Sequence, residues 1–525
     1  MRPVYGFLLL VFLLSFSRVW GQEENKSVLE RKITIEAKRQ TIANILDQIS
    51  QRYQVFFSYD ASLVETTKSI DISLTRKTIK ETLDVLFDKK YVYESLREQV
   101  IITRPRVEAA KKAETETLPE KPKIITFKGR VIDREHKDAL PYTSITILDK
   151  NIRTISNIDG DFELKIPESM RQDTIIFSCM GYRPFHQSIA DITSESGIIY
   201  LQPTSVLLKE IKVAYINPEE VLGRILNKVT LNYASNPEIM TSFYREVLKQ
   251  DNRYIDVTEA LMEIRKAPYN NFTQDKVKLI KGRKSIQTKT FKYVDFKIQG
   301  GPYYITKLDV IKTMDSFLSP EFREFYKYEL DQTIDYNNRD TYIIKFKPRE
   351  KVDYPCYQGK LYVDMSTFAL VFAEFRLSRS GLKFAQESLI RKKPKDFFVR
   401  PINVNYRVSY NRFGNKWHFN NAQASINFKV KSKKDKVNST FQSISELQIT
   451  DSNPDDGTRY KKEELFKEKD IFSEVVTNHD ESFWGDYNTI KPSEELRDAL
   501  SKYYQKDDTT TTQIHEKRRK HFLFN

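Results

Sequence analysis

The stretch "INVNYRVSY" (residues 402–410) alternates apolar and polar side chains without interruption. Its apolar residues fall at every second position: Ile402, Val404, Tyr406, Val408 and Tyr410. Because successive side chains of a strand point to opposite faces of a sheet, this period predicts a strand with one buried and one solvent-facing side. Similar alternation recurs in several segments between 217 and 450, so a large antiparallel sheet is expected there.

The composition is that of a globular chain with several cores. The 525 residues are 39% hydrophobic and 12% aromatic, which suits about three domains at roughly 150 residues each. The 29 tyrosines and 33 phenylalanines occur in short alternating runs, a pattern that favours strands over long helices. The sequence therefore predicts a multidomain, mainly β protein with a few helices.

The net charge of +14 raises nucleic acid, anionic lipid and acidic polymers as partners. The basic residues are interleaved with 72 acidic ones, and the dense basic runs are short: 391–395, 429–436 and 515–520. Solvated loops or a tail explain these runs better than a specific anion site, and we expect no nucleic-acid partner.

The N-terminus predicts export. Arg2 precedes an apolar run from Val4 to Leu14 that is too short for a spanning helix, and Gly21 stands at a suitable cleavage position. Residues 1–21 are thus expected to be a signal peptide, without a cysteine for lipid attachment. No other stretch approaches the length of an apolar membrane helix. The expected location is the periplasm or outer membrane of a Gram-negative bacterium.

Residues 32–104 predict a small α+β module in the order β-α-β-β-α-β-β. A capping box at Thr78 and Glu81 marks the start of the second helix. With its segments "LDQIS", "FFSYDASLV", "TIKETLDVLF" and "VIIT", the module resembles the secretin and TonB short N-terminal (STN) module, a resemblance that implies protein–protein contact. Residues 105–123, rich in charge, Thr and Pro, predict a linker.

Residues 124–213 predict a small β-sandwich of short strands separated by turns. In the "NIDG" turn, Asn157 and Asp159 can accept from nearby backbone amides and Gly160 can adopt a positive φ, so a structural turn is favoured over a calcium loop. The segments "GRVID", "ALPYTSITI", "TISNIDGDFEL" and "FSCMGYRPF" resemble the carboxypeptidase regulatory-like domain. That resemblance implies a transthyretin-like sandwich without a peptidase site.

Residues 217–450 are the expected large antiparallel β domain, with a helix capped by Asn217 and a helical segment at 320–330. The hairpin "GKLYVDMSTFALVFAEFRL" resembles the lipoprotein-carrier and lipoprotein-sorting superfamily, which implies a curved sheet around an apolar cavity. The segments "FYRE" (243–246) and "FWGDYNTIKP" (483–492) resemble recurrent marks of Bacteroidetes envelope proteins. Residues 451–525 are expected to be a polar, partly disordered extension.

The sequence shows no motif for catalysis, metal binding or cofactor binding. The six histidines lack ligand spacing, no glycine-rich phosphate loop is present, and Cys179 and Cys356 suit small buried side chains. We therefore expect no catalytic residue, metal ligand or cofactor. The remaining candidates are aromatic side chains that could line a cavity or simply fill the core: Tyr303, Tyr304, Phe372 and Phe375.

The leading hypothesis is a non-catalytic, exported envelope protein in which two interaction modules present a β domain. Its expected partners are envelope proteins and, through the β domain, a lipid, a lipoprotein or a partner segment. An outer-membrane β-barrel related to TonB-dependent receptors is one alternative, because alternating strands also suit a lipid-facing wall. An envelope hydrolase whose site is assembled from scattered residues is another.

Overall fold

The computed structural model describes residues 27–59, 66, 68–96, 99–103, 123–192, 197–204, 216–271, 273–287, 297–298, 301–350, 352–392, 395–434, 436–468, 470, 472, 476 and 484–503. The expected signal peptide, nearly all of the linker and the end of the extension lie outside these residues. The chain divides into two compact units, Met1–Lys112 and Ala113–Asn525. Within the described ranges, no helix combines the length and the hydropathy that a bilayer crossing requires.

The first unit has the predicted element order. After a 3₁₀ turn at Val28–Glu30, its elements are β1 Lys32–Thr41, α1 Ile42–Tyr53, β2 Phe56–Tyr59, β3 Ser69–Thr78, α2 Ile79–Leu86, β4 Val92–Leu96 and β5 Gln99–Thr103. β1 pairs with β3, while β5 lies between β2 and β4. The predicted capping box is confirmed, since Thr78 Oγ1 accepts from the Glu81 amide at 3.1 Å and Glu81 Oε2 accepts from the Thr78 amide at 2.9 Å.

The second unit begins with a β-sandwich. Its strands are β6 Ile124–Asp133, β7 Ser144–Ile147, β8 Arg153–Ile155, β9 Asp161–Pro167, β10 Thr174–Ser178, β11 Phe185–Ser188 and β12 Gly197–Leu201, with 3₁₀ turns at Glu168–Met170 and Ile189–Asp191. One sheet has the order β11-β10-β7-β8 and the other β12-β6-β9. Phe127, Phe162 and Phe177 are buried between them.

The "NIDG" turn has the predicted geometry. Asn157 Oδ1 accepts from the amides of Asp159 and Asp161, both at 2.9 Å. Gly160 has a φ of +77°, and a Cβ at this position would lie 2.4 Å from the carbonyl oxygen of Val131. Both its backbone conformation and its close packing therefore require glycine.

The rest of the second unit is a large, mainly β domain, as predicted. Its strands are β13 Glu238–Gln250, β14 Arg253–Lys266, β15 Lys276–Gln287, β16 Lys297–Ile298, β17 Tyr326–Asp335, β18 Asp340–Pro348, β19 Tyr357–Asp364, β20 Leu370–Leu377, β21 Ile390–Lys392, β22 Phe398–Phe413, β23 Lys416–Ser432 and β24 Val437–Pro454. Ten of them form one antiparallel sheet in the order β15-β14-β13-β24-β23-β22-β20-β19-β18-β17. β16 pairs with β21.

Helices cover one face of the ten-stranded sheet. They are α3 Pro218–Asn227, α4 Val229–Asn232, α5 Pro302–Thr306, α6 Val310–Thr313 and α7 Arg379–Leu389, with a 3₁₀ helix at Pro320–Phe325. Phe317, fully buried, stacks on Phe346 at 4.5 Å between ring centroids and lies 5.0 Å from the ring of Phe375. Side chains of the protein itself thus fill the apolar face of the sheet, where the resemblance to the lipoprotein-carrier superfamily implied a cavity.

The structure modifies two of the strand and helix predictions. In β22 the alternation holds for Val404, Val408 and Tyr410, but Ile402 is 43% exposed because a register shift between Pro401 and Asn403 turns it outward. The helix predicted at 320–330 is wrong beyond Phe325, where β17 begins. Burial there alternates with a period of two, which is the period of a strand.

A buried ion cluster joins the sheet to the helices. Lys266, 1% exposed, places Nζ 2.7 Å from Asp275 Oδ2 and 2.5 Å from Asp309 Oδ2. The hydroxyls of Tyr269 and Tyr410 donate to the same Asp309 carboxylate at 2.6 and 2.7 Å. Burial alone would lower the pKa of Lys266, but the two carboxylates outweigh it and raise that pKa.

Replacing Lys266 with Met should destabilise the second unit strongly. Two buried carboxylates would lose their cation, and breaking a buried pair in this way typically costs about 3–5 kcal/mol. Urea unfolding should show that decrease for Lys266→Met, whereas Lys276→Met at an exposed position should change the unfolding free energy by less than about 0.5 kcal/mol. Equal stability of the two variants would contradict a structural role for the cluster.

Candidate ligand-binding groove

A row of polar side chains crosses all ten strands on the face opposite the helices. Its members are paired in register, one from each strand: Glu329, Lys345, Lys360, Glu374, Arg407, Gln423, Glu446, Arg245, Glu259 and Arg283. The neighbours of this row along each strand, such as Leu361, Ala373 and Val408, are buried in the core. The sheet therefore separates an apolar face from a charged one. We call these ten residues the transverse row.

The charged face forms the floor of a groove of about 840 Å³. The sandwich contributes Tyr142, Asn157 and Ile158 to its wall. The far end of the chain contributes four more residues: Ile490, Ser493, Glu495 and Leu496. Eight basic and four acidic side chains line the groove, so its surface is cationic. Three separate parts of the sequence are needed to build it.

Residues 484–503, here called the C-terminal segment, dock on the sandwich. The side-chain amide of Asn488 bonds to both backbone groups of Lys165, accepting from its N–H at 2.7 Å and donating to its C=O at 2.9 Å. Because β9 is the outer strand of its sheet, Asn488 satisfies an open strand edge. Asn157 Nδ2 donates to the Pro492 carbonyl at 3.0 Å, and Asp159 Oδ2 accepts from the Glu494 amide at 2.6 Å.

The same segment docks on the ten-stranded sheet. Trp484 and Ile490 are buried with Phe243, Leu261 and, from the sandwich, Ile155. Residues 494–503 are helical, and Leu496 lies against the sheet in a cluster with Val247 and Val257. The sequence predicted only a polar extension over 451–525 and did not indicate this packing. The C-terminal segment thus packs against both the sandwich and the sheet.

A buried ion cluster anchors the C-terminal segment to the sheet. Arg245 Nε and Arg283 Nε each donate to one oxygen of the Glu259 carboxylate at 2.8 Å. Arg245 Nη2 also donates to the Ile490 carbonyl at 2.6 Å, and the Arg283 guanidinium lies 4.9 Å from the Trp484 ring. Burial would raise the pKa of Glu259, but the two guanidinium groups outweigh it and hold that pKa below its usual value. Glu259 therefore stays ionised at neutral pH.

This cluster joins two segments that the sequence analysis singled out. Arg245 belongs to "FYRE", and Trp484 and Ile490 belong to "FWGDYNTIKP". The first segment supplies Arg245 and the Phe243 ring, and the second supplies the Ile490 carbonyl that accepts from Arg245 and the Trp484 ring that packs on Phe243. The two segments thus form one docking contact between distant parts of this chain.

Tyr142 connects the sandwich directly to the groove. Its hydroxyl accepts from Gln423 Nε2 at 2.7 Å, and the Arg407 guanidinium lies 5.7 Å from its ring centroid. Gln423 Nε2 also donates to Glu446 at 3.1 Å. Burial, together with the nearby Glu446 carboxylate, raises the pKa of Tyr142 to about 12, so the phenol stays neutral. Tyr142 is fixed as part of the groove wall.

The four aromatic candidates from the sequence do not form one site, although the rings of Tyr303 and Tyr304 contact each other at 5.3 Å between centroids. Phe375 borders the groove from β20, with its ring packed in the core against Tyr406 at 5.2 Å. Phe372 packs against Tyr362 at 5.1 Å. The hydroxyl of Tyr303 donates to Gln274 at 3.3 Å and that of Tyr304 to Glu468 at 2.5 Å, and neither residue lines the groove.

The transverse row was missed because its residues fill the polar positions of the alternating strands. Alternation alone predicts that such positions face solvent in "IIKFK" and "AEFRL", and "YKYEL" falls in the segment predicted to be helical. Among the residues that the structure describes, no three His, Cys, Asp or Glu side chains are grouped as a metal site would require. Cys179 and Cys356 are not bonded to each other.

Comparison with known families identifies two parts of the chain. Residues 127–213 match the CarboxypepD_reg-like domain, which confirms the predicted resemblance of the sandwich. Residues 228–428 match a family of unknown function, DUF5686. The resemblance of residues 32–104 to the STN module stays a prediction. No curated protein matches the chain.

Solved structures show only distant similarity. A DUF1329 family protein from Desulfovibrio piger is 8% identical, with 46% of this chain and 94% of that chain covered and a TM-score of 0.21. A LolA superfamily protein from Nitrosomonas europaea is 12% identical, with 46% and 96% covered and a TM-score of 0.18. These TM-scores are too low to support an inference about function.

Replacing Trp484 with Ala should release the C-terminal segment. Trp484 is 8% exposed, and truncating a buried Trp typically costs about 3–5 kcal/mol. Here the loss should mainly weaken the docking of the C-terminal segment rather than unfold the whole unit. Limited trypsin digestion should show cleavage after Arg497 at least about tenfold faster than in the native protein. Tyr487→Ala, at a residue that is 39% exposed, is the matched control. Equal cleavage rates in Trp484→Ala and the control would contradict the docking.

Proposed function

We propose that this chain is a non-catalytic binding and scaffold protein of the bacterial cell envelope, and that the groove is its ligand site. The observation that carries the proposal is the assembly of one groove from the sandwich, the sheet and the C-terminal segment. Each part is held by hydrogen bonds that are buried or partly buried. A preformed concave site of this size is typical of small-ligand binding.

The chemistry of the lining supports binding rather than catalysis. Among the described residues that line the groove there is no histidine or cysteine. Three of its carboxylates face cations: Glu374 lies 3.9 Å from Lys360, Glu446 lies 3.7 Å from Arg245, and Glu495 lies 2.9 Å from Lys249.

The sandwich acts as a scaffold in this proposal. It places Tyr142 and the "NIDG" turn against the groove, and it orders the C-terminal segment. The turn thus connects the two sheets of the sandwich and also serves as a docking surface for the C-terminal segment. Export rests on the apolar N-terminal run and its cleavage position, which are properties of the sequence. The first unit adds a further interaction module, in keeping with its STN resemblance.

The position of the groove changes the expected mode of lipid or partner binding. The apolar face is filled by Phe317 and its neighbours, so an acyl chain is not expected to lie there. A lipid or lipoprotein would instead present its polar head to the charged face. A partner segment would contact the same face through hydrogen bonds and ion pairs.

The proposal is tested by recovering what the protein binds. The full exported chain is purified under mild conditions and denatured, and the released compounds are identified by mass spectrometry. Ser425→Trp places a large ring in the middle of the groove floor, and Ser73→Trp, on an exposed face of the first unit, is the control. A compound should accompany the native chain and the Ser73 variant but not the Ser425 variant. Equal recovery from both variants, or none from the native chain, would contradict the proposal.

A further inference from the structure

Like charges lie directly opposite each other at one end of the groove. Lys327 on β17 pairs in register with Lys347 on β18, and Lys345 on β18 pairs with Lys360 on β19. Residues opposite each other in an antiparallel pair have Cβ atoms about 4.5–5.5 Å apart, and like charges at that distance destabilise the sheet. Arg376 on the next strand lines the groove beside them. We call this set the cationic end.

The protein's own carboxylates neutralise only part of this charge. Asp331 lies 2.5 Å from Lys345 and Glu329 lies 3.3 Å from Lys327. Glu374 lies farther from its partner, at 3.9 Å from Lys360. Within the described part of the chain, three further cations of the groove form no ion pair: Lys347, Arg376 and Arg407. The charge that is left over faces the groove.

Protection of a sheet edge does not account for these lysines. An edge strand often carries lysines that prevent pairing with another sheet, and β17 is an edge strand. Lys347, Lys360 and Arg376 lie on the inner strands β18, β19 and β20, whose backbone groups are already paired. The repulsion between Lys347 and Lys327, and between Lys360 and Lys345, therefore points to an anion that binds between them.

We propose that the cationic end binds a phosphate group carried on a sugar, either free or as the head group of a lipid. The inference rests on the groove being the ligand site. A phosphate dianion has enough charge and oxygen atoms to accept from two opposed ammonium groups at once. With the Gln358 side-chain amide turned so that its oxygen faces Arg376, that oxygen accepts from Nη2 at 2.7 Å and from Nε at 2.9 Å, which orients the guanidinium.

The groove beyond the cationic end suits a hydroxylated ring. Its floor continues through three side chains with hydrogen-bonding amides or hydroxyls, Asn405, Gln423 and Ser425, and Tyr142 forms the wall above them. The volume of about 840 Å³ lies in the range of small-ligand sites, whereas a folded partner would need a contact of roughly 800 Å² on each side. The combination of anion site, polar floor and limited volume fits a phosphorylated sugar.

Calorimetric titration of the full chain with glucosamine 6-phosphate tests the inference, with glucosamine and inorganic phosphate as the comparison probes. The sugar phosphate should bind at least about tenfold more tightly than either, since a charge-assisted hydrogen bond contributes about 1.5–3 kcal/mol. Binding should weaken as salt is added. Vesicles with and without a phosphorylated glycolipid then show whether the membrane-borne form also binds.

The double variant Lys347→Gln/Lys360→Gln separates function from stability. It should weaken binding of glucosamine 6-phosphate at least about tenfold, while its melting temperature stays unchanged or rises because repulsion is relieved. Lys433→Gln/Lys462→Gln removes the same charge at exposed positions outside the groove and should bind like the native chain.

Three results would overturn the inference. They are equal binding of glucosamine and its phosphate, equal binding of inorganic phosphate and the sugar phosphate, and equal weakening by the two double variants. A fourth contradicting result is an unphosphorylated compound that accompanies the native chain but not the Ser425→Trp variant. That result would overturn the phosphate inference, although the groove would still be the ligand site. Failure of the proposed function is thus distinguishable from failure of this inference.

Discussion

The structure of the second unit depends on one buried ion cluster, in which Arg245 and Arg283 share the Glu259 carboxylate. Burying an unpaired carboxylate would cost several kcal/mol, so the two cations fix the side of the sheet on which Glu259 can lie. Arg245 also binds the carbonyl of Ile490. The cluster thereby fixes where the C-terminal segment crosses the sheet, and the segment bonds in turn to the sandwich, which also contacts the sheet directly through Tyr142.

The ten-stranded sheet has two different faces with two different roles. One face buries aromatic and aliphatic side chains under helices and provides the core. The other carries a charge or an amide at each position of the transverse row. A polar face of this extent would be an ordinary solvated surface if it were open. The sandwich and the C-terminal segment enclose part of this polar face, and the enclosed part forms the groove.

Local patterns in the sequence were sufficient for the elements but not for the site. The capping box at Thr78 and the "NIDG" turn are set by neighbouring residues and are present as predicted, and the alternation in β22 holds except at Ile402. The helix predicted beyond Phe325 is wrong because the start signal at Ser319 and Pro320 does not fix where a helix ends, and "YKYEL" has the period of two of a strand. The groove could not be predicted, since it joins residues 142, 245 and 490, which are separated by long stretches of chain.

Hydrogen–deuterium exchange on Arg245→Met tests most directly whether the ion cluster holds the three parts together. The variant keeps the contact between Glu259 and Arg283, so the sheet itself should stay folded. The account predicts that amides in 484–503 lose protection, together with those of β8 and β9, while those of α3 and β19 keep it. Unchanged protection of 484–503 in a folded variant would contradict the account.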